Sequence, residues 1–227
     1  MWLLLVLLGV GVLLGPAWWV RRVLAQYAQP ADRYASAGTG ASLARHLLDA
    51  HALADVTVET TAVGDHYDPL TRSVRLAPDH HDGSSLTAIV IAAHEVGHAL
   101  QHARGERLFV ARQRLTQLAI DAQRVAGLML VAAPLLALVT RTPQAGGVLL
   151  MLAVASAGLG TLVHLLTLPV ELDASFGKAL PLLAAGKLHP PDLPHARRIL
   201  RAAAFTYVAG SLASLLNLAR WLAVLRR

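Results

Sequence analysis

The chain has 227 residues, 55% hydrophobic and only 15% charged, and its mean hydropathy of +0.51 is too high for an ordinary soluble domain. It contains no cysteine, which excludes a disulfide framework and a thiolate metal site, so any metal must be held by histidine and carboxylate. The formal charge is +6, but the arginines flank apolar segments as membrane anchors do, and no basic and aromatic motif of nucleic-acid binding accompanies them.

In chain order, "MWLLLVLLGVGVLLGPAWWV" predicts a spanning helix at about residues 2–20, with Trp18, Trp19, Arg21 and Arg22 as aromatic belt and cationic stop. It lacks the positive n-region and the prompt A-x-A site of a cleaved signal peptide. "TGASLARHLLDAHAL" places Leu43, Leu47 and Leu48 at helical spacing behind a Thr39/Gly40 start, a short amphipathic helix. Val56 and Val58 alternate with Thr57 and Glu59, and "SVRLA" alternates again after the turn "YDPLTR", which predicts a β-hairpin. Pro78 and "DHHDGSS" close it. Ser84 or Ser85 is then suited to cap a helix whose Leu86, Ile89, Val90, Ala93, Gly97 and Leu100 repeat at the 3.6 period. Further spans are expected at about residues 125–140, 147–168 and 202–219. The expectation is a mainly α membrane protein with about four transmembrane helices in a single domain over residues 1–227. Its small α/β portion, at about residues 39–124 and 169–201, falls on the cytoplasmic side by the positive-inside rule.

The helix that carries "IAAHEVGHALQH" sets His94 and His98 four residues apart, so both imidazoles leave one face and can bind one ion. Glu95 sits beside them, within reach of a metal-bound water. A catalytic zinc needs three protein ligands and an open position. Of the four glutamates, Glu95 is committed, Glu59 lies on the outward face of a strand and Glu106 falls in the charged helix end "HARGER", which leaves Glu171 in "TLPVELDAS". A third histidine at the longer spacing is absent, because Gln101 and Arg104 stand there. Two spans separate the long segments, which places Glu171 on the same side of the membrane as His94 and His98. A developing oxyanion needs a further donor, for which His66, Tyr67 and His102 are candidates, although a turn and a helix end explain them equally. Asp173 is a candidate to orient a histidine, His164 is a polar group within the third span, and Gly97 offers room for the Glu171 segment.

Together "GDHYDPLTRSVRLAP", "AAHEVGHALQH" and "TLPVELDAS", in this order with "AAAFTYVAGSL" behind them, resemble the neutral zinc metallopeptidases of bacterial membranes, the YugP-like family, over nearly the whole chain. The resemblance implies a zincin-like catalytic portion and a multi-pass protein of the bacterial inner membrane acting on peptides or proteins, membrane proteins among them. It also implies zinc held by His94, His98 and Glu171, with Glu95 as the catalytic glutamate. No roles carry over to "SFGKALP" or to "DHHDG". Two other readings stand beside it: an intramembrane protease with its H-E-x-x-H inside a spanning helix and an aspartate, here Asp173, as third ligand, and a zinc-stabilised scaffold without turnover. Glu95 separates the last from an enzyme, because a structural site has no need of it.

Overall fold

Local signals set where the helices begin. In a computed structural model, which describes residues 2–140, 155–156, 159–160, 162–163 and 165–204 (residues 2–14, 126 and 129–140 for backbone alone), the first two helices are α1 (Trp2–Tyr27) and α2 (Gly40–Ala50). The Thr39 hydroxyl caps α2 by accepting the Ser42 N–H at 3.3 Å, and the helix turns Ala44, Leu47 and Leu48 inward.

The three strands β1 (Thr57–Thr60), β2 (His66–Asp68) and β3 (Ser73–Leu76) form one sheet in the order β1-β3-β2. The segments expected to pair as a hairpin, β1 and β3, pair in parallel, with Val58 opposite Val74. The hairpin is instead β2 with β3, Tyr67 opposite Val74, across a turn in which Asp68 accepts the Leu70 N–H at 2.9 Å and Arg72 adopts a φ of 54°. Arg75 on the central strand reaches both neighbours, 2.9 Å from Asp68 and 3.4 Å from Glu59.

A short α3 (Pro78–His81) leads to α4 (Leu86–Ala103), where the Ser85 hydroxyl accepts the Ala88 N–H at 3.2 Å. Two bonds close the far end of α4, from Glu106 N–H to the Gln101 carbonyl and from Gly105 N–H to that of His102, with Gly105 at a φ of 59° that a side chain would resist. Nearly every residue of α4 is buried, its polar His94, Glu95, His98 and Gln101 included. Around it pack Val23 of α1, Leu47 and Leu48 of α2, Val74 and Leu76 of β3, and Leu183, Ile199 and Leu200 from the C-terminal elements. Each such side chain contributes about 1.5–3 kcal/mol by leaving water.

After α5 (Arg107–Thr140), residues 165–172 are helical and run into a π-helix, Asp173–Ala179, followed by α6 (Leu180–Ala184), a 3-10 turn (Pro190–Asp192) and α7 at residues 193–204. The chain divides into two compact units, Met1–Phe109 with Pro169–Thr206, and Val110–Leu168 with Tyr207–Arg227. In the second, Gln117, Asp121 and Arg124 pair along an exposed stretch of α5.

The expectation of four transmembrane helices is corrected: among the described residues no helix is long and apolar enough to cross a membrane. The described part of α1 carries Arg21 and Arg22 and turns Val20 and Val23 into the protein core rather than outward. The stretch of α5 that leads to the second expected span carries Arg112, Arg114, Asp121 and Arg124. Much of the expected spans 2–20, 125–140, 147–168 and 202–219, His164 included, lies outside the described residues or is described for backbone alone.

Candidate metal centre

The centre lies within the first unit, where α4 meets the chain on either side of Glu171. A Cβ added to Gly97 would stand 2.7 Å from the Ala174 carbonyl oxygen, so only glycine lets the two backbones come this close. That approach brings Glu171, 1% exposed, against the inner face of α4. Its Oε2 lies 3.2 Å from His94 Nε2 and 3.3 Å from His98 Nε2. The three ligand atoms fall within 4.8 Å of one another, all from buried side chains, and form a group that can hold a metal ion.

Donor chemistry tests whether a cation fits there. Behind His98, Gln101 places its Oε1 3.0 Å from Nδ1, and its amide nitrogen donates to the Val170 carbonyl at 2.9 Å and to Asp173 Oδ2 at 2.8 Å. A carbonyl and a carboxylate only accept, so the amide oxygen must face His98. The neutral His98 ring then carries its proton on Nδ1, donates it to Gln101 and presents a bare Nε2. Ser175 Oγ, 3.2 Å from His94 Nδ1, can accept from that ring in the same tautomer. In that tautomer two lone pairs face a carboxylate oxygen, a donor set that a cation between them satisfies.

Electrostatics separates the two buried carboxyls. Burial alone would raise Glu171, but without a metal the charge and hydrogen bonds of the facing imidazoles of His98 and His94, when protonated on Nε2, outweigh it and hold the acid well below the usual carboxylate range. For Glu95 burial wins and pushes it up to about 7, with Glu171 and Asp65 adding to the rise and His94 and the Tyr67 backbone N–H opposing it. Glu95 is therefore a buried acid beside the histidines, raised chiefly by burial.

The remaining candidates separate by contact. His66 places Nδ1 2.8 Å from the Gly64 carbonyl and so serves its own turn. Tyr67 and His102 share a hydrogen bond of 2.8 Å, and Phe109 lies against Tyr67, His98 and His102. Burial pushes the Tyr67 phenol up and the His102 ring down. In "DHHDG", His80 pairs with Asp65 at 2.8 Å and His81 with Asp82 at 2.6 Å. Glu59 binds Arg75 and Glu106 binds Lys178, away from the histidines. Asp173 touches no ligand and reaches His98 only through Gln101. Gln101 and Ser175 carried no signal beyond their spacing, three residues after His98 and four after Glu171.

Comparison with known proteins bears on this geometry. A family model described as "Putative neutral zinc metallopeptidase" matches residues 2–226. The chain is 34% identical over 215 residues to the "Putative membrane protease YugP" of Bacillus subtilis (strain 168), which takes in 93% of this chain and 92% of that protein. No solved structure matches it.

Proposed function

Because the chain belongs to the family described as "Putative neutral zinc metallopeptidase", we propose that it is a zinc-dependent endopeptidase with His94, His98 and Glu171 as metal ligands and Glu95 as general base. The observation that carries this reading is the convergence of two Nε2 atoms and one carboxylate oxygen, with a second carboxyl, that of Glu95, next to them on α4. Bound there, zinc would lower the pKa of its water to about 7 and polarise the scissile carbonyl.

The protein's own part follows from position. Glu95 takes the proton of the attacking water at its carboxylate and returns it to the leaving amine nitrogen, a role suited to an acid pushed up to about 7. His98 and His94 keep their bare nitrogens inward through Gln101 and Ser175. Substrates are peptides or proteins, as the family implies. The Bacillus subtilis relative is named a membrane protease, and the 55% hydrophobic composition supports work at a membrane here too.

The test is Glu95→Gln against the parent protein. The variant should bind zinc at one equivalent as the parent does, while cleavage of an unfolded protein such as casein falls by about 10²–10⁴-fold. Equal cleavage by both would sink the proposed mechanism.

A further inference from the structure

Gln101 can orient His98 only if something orients Gln101, and a line of polar side chains leads outward from it. Asp173, which takes one of its amide protons, is 2.7 Å from Lys178 Nζ, and the same ammonium is 2.9 Å from Glu106 Oε1. Lys178 is largely buried, its side chain 11% exposed, and a lysine so placed is stable only between partners of opposite charge. Two features fit the π-helix to this arrangement. Asp173 and Lys178 are five residues apart, the interval over which a π-helix closes its hydrogen bonds. Gly177 leaves its Cβ position open, where a methyl group would stand within van der Waals overlap of Asp173 Oδ1. The carboxylate lies back over the helix because position 177 has no side chain.

We infer that Lys178 is a positioning residue for the metal centre, acting through Asp173 and Gln101 to hold His98 in the tautomer whose Nε2 faces Glu171. The inference rests on the reading of His98 as a zinc ligand. Lys178 touches neither the histidine nor any reacting atom. It also ties the turn after α4, through Glu106, to the π-helix, so that His98 and Glu171 are set by one shared ion cluster.

Two variants disturb the relay differently. Lys178→Met removes the cation, and Lys178→Arg restores a charge. Gly177→Ala removes no polar group; the atom it meets is the free end of a side chain, so the helix gains a better former while Asp173 is displaced from Gln101. Using the full chain, zinc affinity is measured by chelator competition, and the His98 tautomer of zinc-free protein by ring nitrogen–proton NMR correlation. The parent should show His98 protonated on Nδ1. Lys178→Met and Gly177→Ala should each bind zinc about 10–100-fold more weakly, the range for residues that orient a ligand from behind. Both should lose the pure Nδ1–H tautomer, and Lys178→Arg should recover most of the affinity.

Parental zinc affinity in both Lys178→Met and Gly177→Ala overturns the inference, and so does a parent whose His98 carries its proton on Nε2. If Lys178→Met does not fold, Gly177→Ala and the parental spectrum decide. His98→Ala separates the two levels: parental zinc affinity in that variant removes His98 as a ligand and the proposed function with it. Loss of zinc there, beside unaffected Lys178→Met and Gly177→Ala, removes only the relay.

Discussion

A methyl group at position 97 and one at position 177 would both meet oxygen, yet their expected effects differ because the oxygens differ. At 177 the oxygen ends a side chain that can swing away; at 97 it is the Ala174 backbone carbonyl, 2.7 Å from the added Cβ, and cannot move without its helix. Alanine is favoured over glycine inside a helix by about 1 kcal/mol. Overpacking a tight contact costs about 1–3 kcal/mol, and here it also pushes Glu171 away from the histidines. The clash therefore wins. Gly97→Ala should melt below the parent and bind zinc at least about 10-fold more weakly, a loss on the scale seen when the groups supporting a ligand are disturbed. Calorimetry and chelator competition read both quantities, and a variant unchanged in both would show that the two backbones have room to spare. The residue pattern H-E-x-x-H with its single unspent glutamate was legible in the sequence because ligand chemistry admits few residue types. Gln101 was not, because an amide identifies itself as an orienting group only when its acceptors are seen.

Between elements, the 3-10 turn at Pro190–Asp192 is joined to the segment after α1 by one carboxylate. Asp192, 1% exposed, accepts from Arg33 Nε at 2.8 Å, Arg33 Nη2 at 2.5 Å and the Tyr34 hydroxyl at 2.7 Å. Burial alone would raise this acid, but the Arg33 and Tyr34 hydrogen bonds hold it below its ordinary 3.8. The unfolded chain therefore takes up the proton more readily, and stability rises with pH across the interval. The contribution is complete above about pH 5 and is lost as pH falls below 3.8 towards the lower folded value. Asp192→Asn should cost about 1.5–3 kcal/mol at pH 7, towards the lower end because Arg33 is partly exposed. Urea unfolding from pH 7 to 3 should show the gap between parent and variant closing as pH falls; a constant gap would place the effect in packing. The same scale shows what local pattern encodes. The starts of α2 and α4 were readable because Thr39 and Ser85 cap within three residues. The pairing of β1 with β3 was not, because a parallel partner is chosen by packing over distance, and the three residues of β2 are too few to alternate visibly. The membrane-side argument for Glu171 lost its premise with the spans. What carries Glu171 to α4 is the approach that Gly97 allows, for which the sequence offered that glycine, and a π-helical register, which has no local signature.

For the whole molecule, the centre fastens together parts of the chain that are 77 and 73 positions apart, His94 to Glu171 and His98 to Glu171. Both parts belong to a unit built from two separate chain segments, so the site exists only when those segments have folded on each other. A metal that binds the folded but not the unfolded chain stabilises by an amount set by its free concentration, about 2.7 kcal/mol at 100 times the Kd. For a chain of this length each kcal/mol moves the melting temperature by about 2–4 °C, so zinc at that ratio should raise it by roughly 5–11 °C, and a chelator should reverse the rise. The increment separates ligand from base. Glu171→Ala should melt at the same temperature with or without zinc, because the two imidazoles that remain no longer share a third donor. Glu95→Gln should keep nearly the full zinc increment while its peptidase activity falls, because Glu95 is not among the three donors that converge. A full increment in Glu171→Ala would remove Glu171 from the centre. The absence of any increment in the parent would mean that His94, His98 and Glu171 do not hold zinc in the folded protein, whatever their spacing on α4.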